Sequence, residues 1–296
     1  MRLLVTGASG LLGLHLACAA VEQGHQVTGV VHRHLLPGAP FSTLQADLSD
    51  PQAVERVIDR AKPDVLIHAA ALAYPETCEA YPELSERLNA QLPGWVARAA
   101  CRANVAVVHF STDAIFDGSR GNYQEEDEPH PRNTYARHKL AGERAVAEID
   151  PQALILRGVF YGWSLSGRRS LAEWFLNNLF ASKEMKGFTD AFFTPLAAGD
   201  LAGLVLKMLE KGLQGVYHVA CPETISKYAF GVRIARLFGL DERLIHPSPL
   251  SEGDLKAPRS ANLSLRCEKL VRDLGIRMPA LEEGLEKYHR QYLEGV

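Results

Sequence analysis

Cysteine is scarce in this chain, and the few cysteines form no metal-binding or disulfide pattern. The five of them, Cys18, Cys78, Cys101, Cys221 and Cys267, lie far apart and include no CxxC pair. Zinc knuckles and disulfide frameworks both need recognisable cysteine spacings, so neither is indicated. We therefore expect a reduced, cytoplasmic protein without a metal site.

Long apolar runs and dense basic runs are also missing. No stretch approaches the ~18 consecutive apolar residues of a membrane span, and the apolar start is broken at Gly7, too early for a signal peptide. The 32 basic residues are offset by 35 acidic ones, which gives a formal charge of −3 at pH 7. Because nucleic-acid binders cluster Lys and Arg on one surface, we expect a soluble protein that binds neither membranes nor nucleic acid.

The chain does contain an alternation of short apolar runs with longer helical patterns. Hydrophobic residues make up 47% of the 296 residues, which allows one large core or two modest ones. The predicted strands are Leu3–Thr6, Gln26–Val31, Val65–His68, Ala106–Ser111 and Ala153–Arg157. The predicted helices between them are Leu12–Gln23, Pro51–Ala61, Ser85–Cys101 and Tyr135–Glu148. Apolar strands alternating with helices are typical of a parallel sheet covered on both faces.

This alternation predicts an α/β fold, a doubly wound parallel sheet of Rossmann type with a smaller C-terminal lobe. We place a dinucleotide-binding domain at residues 1–157 and a smaller substrate-binding lobe at residues 158–296. In the lobe, aromatic loops and helices at Leu171–Phe180 and Lys227–Leu237 replace the regular alternation. The return of a strand or helix from the lobe to the first domain is left open.

A glycine fingerprint lies between the first predicted strand and the first predicted helix. Gly7 permits a tight turn, Gly10 lets the backbone approach a pyrophosphate, and Gly13 lets helix and strand pack closely. The helix N-terminus would supply N–H groups and the positive end of its dipole. Position and context together favour a dinucleotide over a plain strand-turn-helix corner.

The end of the second strand predicts which dinucleotide binds. NAD-binding versions of this fold place an acidic residue there, but this chain has His32-Arg33-His34. Arg33 offers a fork of donors suited to a 2′-phosphate, with Ser9 as helper. We therefore expect NADPH, with NADH still possible. The alternative is that Arg33 is an ordinary solvated charge.

Two further segments are candidates for contact with the cofactor. Asp47, in Asp47-Leu48, can accept a hydrogen bond from an adenine amino group or serve as a turn or cap residue. The run Ala69-Ala70-Ala71 can let a cofactor lie against the backbone, or it can reflect tight core packing.

The predicted catalytic residues come from a strand end and the helix that follows it. Tyr135 and Lys139 are four residues apart and share one helix face, while Thr112 follows a buried strand. A lysine ammonium near a phenol lowers the phenol pKa, so Tyr135 is expected to act as an acid or base near neutral pH. The hydroxyl of Thr112 can bind the substrate oxygen.

At these residues the sequence resembles the extended short-chain dehydrogenase/reductase family, and most closely the dTDP-4-dehydrorhamnose reductases. The resemblance also rests on Leu88-Asn89-Ala90, on Ser111 to Gly118, on Gly142-Glu143, on Phe188-Thr189-Asp190 to Thr194-Pro195, and on Asp200-Leu201-Ala202. It differs at Ala136 and His138, where the family usually carries Gly and Ser, and at Pro258-Arg259, where the family has an Arg-Pro pair.

The resemblance implies reduction of the 4-keto group of a nucleotide-linked 6-deoxysugar, with Thr112, Tyr135 and Lys139 as catalytic triad. The expected cofactor-binding set is Gly7, Ser9, Gly10, Leu11, Leu12, Gly13, Arg33, Asp47, Leu48, Ala69, Ala70, Ala71, Asn89, Ser111, Tyr135 and Lys139. The expected substrate-binding residues are Asp113, Phe160, Trp163 and Arg259. Phe160 and Trp163 follow the last predicted strand and can either stack on the nucleotide base or pack the two lobes together.

Other functions remain open at this point. A different nucleotide-sugar reductase or an epimerase would share the fold and the triad. A non-catalytic, NADP-binding regulatory subunit is the alternative from another class, since the regulatory subunit of methionine adenosyltransferase resembles the same reductases. A homodimer is a further possibility.

Overall fold

The computed structural model describes residues 1–295, which form a seven-stranded parallel sheet with helices on both faces. The sheet strands are β1 (Arg2–Thr6), β2 (Gln26–Val31), β3 (Ser42–Gln45), β4 (Val65–His68), β5 (Ala106–Phe110), β6 (Leu154–Arg157) and β11 (Gly215–His218). Their order is β11-β6-β5-β4-β1-β2-β3. The predicted Rossmann-type sheet is therefore confirmed, and its strand order reverses beside β1.

The helices are α1 (Leu11–Glu22), α2 (Pro51–Ala61), α3 (Pro75–Ala80), α4 (Pro82–Glu86), α5 (Leu92–Arg102), α6 (Thr134–Ile149), α7 (Leu171–Phe180), α8 (Ala198–Glu210), α9 (Lys227–Leu237), α10 (Glu268–Leu274) and α11 (Leu281–Glu294). A π-helical turn at Arg87–Gln91 lies between α4 and α5. No helix within residues 1–295 is long and apolar enough to cross a membrane.

Alternation along the strands gives the sheet two apolar faces. Leu3 and Val5 of β1 belong to a large core beneath α1, α8 and the C-terminal lobe. Leu4, between them, points to a second core beneath α2 and α5. Because successive strand residues point to opposite faces, a strand that is buried on both faces must be apolar throughout.

The lobe that follows β6 is built from short strand pairs and helices. β7 (Phe160–Tyr161) pairs with β10 (Leu196–Ala197), β8 (Met185–Phe188) with β13 (Ile245–Ser248), and β9 (Phe192–Phe193) with β12 (Ile225–Ser226). Between these pairs the chain returns to the main sheet, where β11 lies parallel to β6. The division at residue 157 stays a prediction, and the sheet takes its last strand from beyond that point.

Candidate active site

The glycine loop between β1 and α1 has a backbone that only small residues allow. Gly7 has φ +68°, and a Cβ at that position would lie 2.9 Å from the backbone of Ala70. A Cβ on Gly13 would lie 2.2 Å from the Gly7 carbonyl oxygen. Gly10 precedes α1 without any side-chain cap, so no side chain takes up the first N–H groups of the helix. Such a helix end suits a pyrophosphate.

The neighbouring residues of the loop support this turn. Leu11 and Leu12 open α1 and are buried in the core, while Ser9 is half-buried at the mouth of a cavity of about 800 Å³. Arg33, which follows β2, lines the same cavity. Within residues 1–295 its guanidinium forms no ion pair or hydrogen bond, so it is available to an anion.

Asp47 has a structural partner of its own at the end of β3. Its Oδ1 accepts a hydrogen bond of 3.0 Å from the backbone N–H of Ser49, and this bond lowers the pKa of the carboxyl. His32 lies 3.7 Å from its other oxygen, and Leu48 beside it is buried. Asp47 therefore forms a turn here, and its contact with adenine stays a prediction.

The segment that follows β4 is held from two sides. The backbone N–H of Ala70 donates to the hydroxyl of Thr6 at 3.2 Å. The side-chain amide of Asn89, which is fully buried, accepts from the N–H of Leu72 and donates to its carbonyl, both at 3.0 Å. Asn89 thus positions the chain after Ala69-Ala70-Ala71, whose own contact with a cofactor stays a prediction.

Thr112 and Asp113 lie at the carboxyl end of β5 and are both 5% exposed. The Thr112 hydroxyl donates to Asp113 Oδ1 at 3.1 Å and accepts from the N–H of Ala114 at 3.2 Å, which caps a short 3₁₀ turn. Burial raises the pKa of Asp113 to about 6, against the effects of Thr112 and Lys227. The hydroxyl of Ser111 is buried and has no hydrogen-bond partner in the described chain.

Helix α6 brings Tyr135 and Lys139 to these residues. The side chain of Asn133 caps the helix by accepting from the N–H of Ala136 at 2.9 Å, which sets Tyr135 in its first turn. One turn later, Lys139 is buried and its ammonium donates to the carbonyl oxygen of Phe110 at 2.5 Å. Thr112, Tyr135 and Lys139 therefore converge at the end of β5.

The pKa of Tyr135 departs from the sequence-based expectation. Burial raises it, with smaller upward contributions from Asp113 and Cys78, and only the Thr112 hydroxyl lowers it. The predicted lowering by Lys139 is wrong, because that ammonium is held by a backbone carbonyl instead. Burial also lowers the pKa of Lys139, to about 8. The phenol is therefore fully protonated at neutral pH, as a proton donor must be.

The two residues that depart from the family motif, Ala136 and His138, lie away from the face of α6 that carries Tyr135 and Lys139. Ala136 is buried, and the imidazole of His138 is 2.9 Å from the hydroxyl of Ser85. Burial lowers the pKa of His138, so the ring is neutral at pH 7. The extra bulk of His138 is thus accommodated against α4.

Arg259 reaches the site from the C-terminal lobe. Its guanidinium pairs with Glu76 at 2.5 Å and is largely buried, and the neighbouring carbonyl of Pro258 accepts from Asn133 at 2.9 Å. The Pro258-Arg259 segment is therefore fixed against the start of α6. Lys227, at the first position of α9, is a residue that the sequence reasoning missed; its pKa is lowered by burial and by Arg259, and raised by Asp113.

The two aromatic candidates have different surroundings. Phe160 is half-buried in β7 and pairs with Leu196 of β10. The ring of Trp163 stacks on Tyr288 with centroids 4.2 Å apart, and its indole N–H donates to the Tyr288 carbonyl at 2.9 Å. Trp163 therefore packs α11 onto the lobe, which favours the packing alternative for that residue, while a substrate contact of Phe160 stays a prediction.

Comparison with known proteins agrees with this site. The model of the RmlD substrate binding domain family matches residues 1–294. The chain is 35% identical over 289 residues to the probable low-salt glycan biosynthesis reductase Agl14 of Haloferax volcanii, with 96% of each protein covered. It is 32% identical over 293 residues to methionine adenosyltransferase 2 subunit beta of Xenopus laevis, covering 94% of this chain and 84% of that protein.

Solved structures of similar proteins also support this family. The dTDP-4-dehydrorhamnose reductase of Bacillus anthracis, in complex with NADP, superposes with a TM-score of 0.83 at 26% identity and 99% coverage of both chains. The chain belongs to the RmlD substrate binding domain family, within the extended short-chain dehydrogenases/reductases. The resemblance stated from the sequence is confirmed.

Proposed function

We propose that this protein is an NADPH-dependent reductase of the 4-keto group of a nucleotide-linked 6-deoxysugar. The observation that carries the proposal is the convergence of Thr112, Tyr135 and Lys139 at the end of β5, where Lys139 is fixed by a backbone carbonyl. A positioned hydroxyl, a protonated phenol and a buried ammonium are the groups that carbonyl reduction needs.

The residues fit a dinucleotide cofactor. Gly13 leaves the space that a Cβ would fill, and the first N–H groups of α1 have no side-chain cap. Arg33 adds an unpaired guanidinium beside Ser9, at the end of β2, where the adenosine ribose is bound in this fold. This favours NADPH, with NADH as the weaker ligand, and the Bacillus anthracis relative was solved with NADP.

When bound, the nicotinamide supplies a hydride to the carbonyl carbon. Tyr135 donates its proton to the carbonyl oxygen as negative charge develops there, and Thr112 orients that oxygen through its hydroxyl. Lys139, whose ammonium is held beside the end of β5, is proposed to bind the nicotinamide ribose. Tyr135 holds its proton at neutral pH and can therefore act as the donor.

The substrate lies on the side of the cleft that faces the C-terminal lobe. Asp113 and Arg259 border the catalytic helix there and are proposed to bind the sugar nucleotide. Lys227 adds a second positive charge near Arg259, which suits the diphosphate of such a substrate. Phe160 remains the proposed aromatic contact.

The second candidate function is that of a regulatory subunit. It is favoured by the 32% identity to methionine adenosyltransferase 2 subunit beta. A purely regulatory chain has no need of Thr112, Tyr135 and Lys139 together at one strand end, so we rank catalysis first. An epimerase or a reductase of another nucleotide sugar shares the triad and is distinguished by substrate.

The test is turnover with a panel of sugar nucleotides. Purified protein is mixed with NADPH and dTDP-4-keto-6-deoxyglucose, and separately with UDP- and GDP-linked 4-keto sugars, while the absorbance of the reduced nicotinamide is followed. We expect oxidation of NADPH that depends on one of these ketones. Tight NADPH binding without oxidation by any of them would support the regulatory function instead.

A further inference from the structure

The cavity beside the glycine loop is bordered by both parts of the molecule. Ser9, Arg33 and His34 line it from the sheet side, and Leu165, Ser166 and Arg169 line it from the loop that precedes α7. Its volume of about 800 Å³ is that of a small-molecule site. A ligand in this cavity would therefore touch the lobe as well as the end of β2.

Two arginines line this cavity. Both are exposed, and neither Arg33 nor Arg169 forms an ion pair or a side-chain hydrogen bond with any residue of the described chain. Two unpaired guanidinium groups at one cavity raise the local positive potential and favour an anionic ligand.

The loop that carries Arg169 is held in place by one buried carboxylate. Glu173, 1% exposed, accepts hydrogen bonds from the N–H and hydroxyl of Ser164 at 2.6 and 2.8 Å, and from the N–H groups of Arg169 and Ser170 at 2.7 and 2.9 Å. The backbone of Arg169 is thus fixed while its side chain is unconstrained. A preorganised backbone reduces the entropy that a bound phosphate must offset.

We propose that Arg169 and Arg33 together clamp the 2′-phosphate of NADPH, so that the C-terminal lobe takes part in choosing the cofactor. The inference rests on the proposed use of NADPH. Arg33 provides one fork of donors from the end of β2, and Arg169 provides a second from the loop that precedes α7. Because NADH lacks this phosphate, Arg169 acts on NADPH alone.

The experiment compares Arg169→Ala with Arg168→Ala. Arg168 is exposed in the same loop but does not line the cavity, so it is a matched control. Dissociation constants are measured by calorimetry for NADPH and NADH, and also for the probes 2′,5′-ADP and 5′-AMP. Replacing Arg169 should weaken NADPH and 2′,5′-ADP about tenfold, the effect of one charge-assisted contact, and leave NADH and 5′-AMP unchanged.

These binding measurements test the clamp without any assay of turnover. Arg168→Ala should bind all four ligands as the wild type does, and an equal loss in both variants would contradict the clamp. If wild type prefers NADPH and Arg169→Ala keeps that preference, the clamp is wrong and the proposed function is untouched. A wild-type protein that binds NADPH and NADH equally overturns both the clamp and the proposed cofactor.

Discussion

Three buried side chains at the end of β5 have pKa values set by their surroundings. Burial raises the pKa of Tyr135 and raises that of Asp113 to about 6, and it lowers that of Lys139 to about 8. In each case the neutral form gains because charge is poorly solvated inside the protein. The Tyr135 phenol is therefore protonated at neutral pH, and the pKa of Lys139 lies close to neutral pH.

Stability should depend on pH through Lys139. Burial lowers its pKa from 10.5 to about 8. Below a pH of about 8 the folded and the unfolded chain both hold the proton, so the folded state carries the full free-energy cost of burying the charge. Between the two values only the unfolded chain holds it, so the free energy of unfolding rises with pH, by up to roughly 1.4 kcal/mol per pH unit.

Lys139→Met removes this dependence. Urea unfolding from about pH 7 to pH 10 should show the variant's stability advantage shrinking as pH rises relative to wild type. Lys211→Met, at an exposed lysine, should follow the wild-type curve. A difference between wild type and Lys139→Met that stays constant with pH would mean that Lys139 titrates normally.

At the scale of elements, the sheet could be predicted because its strands are apolar on both faces. The bounds of β2, β4, α2, α7 and α9 match the prediction. Those of β1, β5 and β6 differ by one residue at one end, and those of α1 and α6 by one residue at each end. The return of β11 to the sheet was not assigned from sequence. A four-residue run such as Gly215–His218 carries no signal for which sheet it joins.

The helix predicted at Ser85–Cys101 is present, but a π-helical turn that was not predicted interrupts its regular hydrogen bonding. The structure has α4, a π-helical turn at Arg87–Gln91 and then α5. Pro93 lacks the N–H that would bond to the Asn89 carbonyl, so the helical ladder shifts there. The same carbonyl lies 2.2 Å from where a Cβ on Gly142 would be, so α6 packs closely against this turn.

Helix α6 is tied to β6 by a buried ion pair. Arg157 donates to Glu143 at 3.1 Å through Nε and at 2.5 Å through Nη2, and both side chains are less than a tenth exposed. Glu143→Gln leaves the arginine charge buried and uncompensated. We expect the free energy of unfolding to fall by about 3–5 kcal/mol, measured by urea denaturation.

An exposed pair provides the control for this prediction. Arg236 and Glu242 pair on the surface, where solvent screens the attraction between their charges. Glu242→Gln should therefore leave the free energy of unfolding nearly unchanged. If Glu143→Gln and Glu242→Gln lowered the free energy of unfolding equally, the buried pair would hold α6 to the sheet no more strongly than an exposed pair does.

At the scale of the whole molecule, the site forms where the lobe meets the carboxyl edge of the sheet. The side chain of Asn133, at the start of α6, donates to the carbonyl of Pro258, which is 125 residues later in the sequence. The next residue, Arg259, forms an ion pair with Glu76. The placement of Thr112, Tyr135 and Lys139 at the end of β5 could be predicted because each follows a recognisable strand or helix signal. Lys227 and Arg169 could not, since only the folded lobe places them near the sheet.

The most direct test of catalysis is a comparison of wild type with Tyr135→Phe. This change removes one oxygen and keeps the ring, so folding and the dissociation constant for NADPH should be unchanged. With NADPH and the ketone that wild type reduces, turnover should fall by roughly 10²–10⁴-fold, the contribution of a positioned proton donor. A Tyr135→Phe protein that reduces the ketone at the wild-type rate would contradict the account.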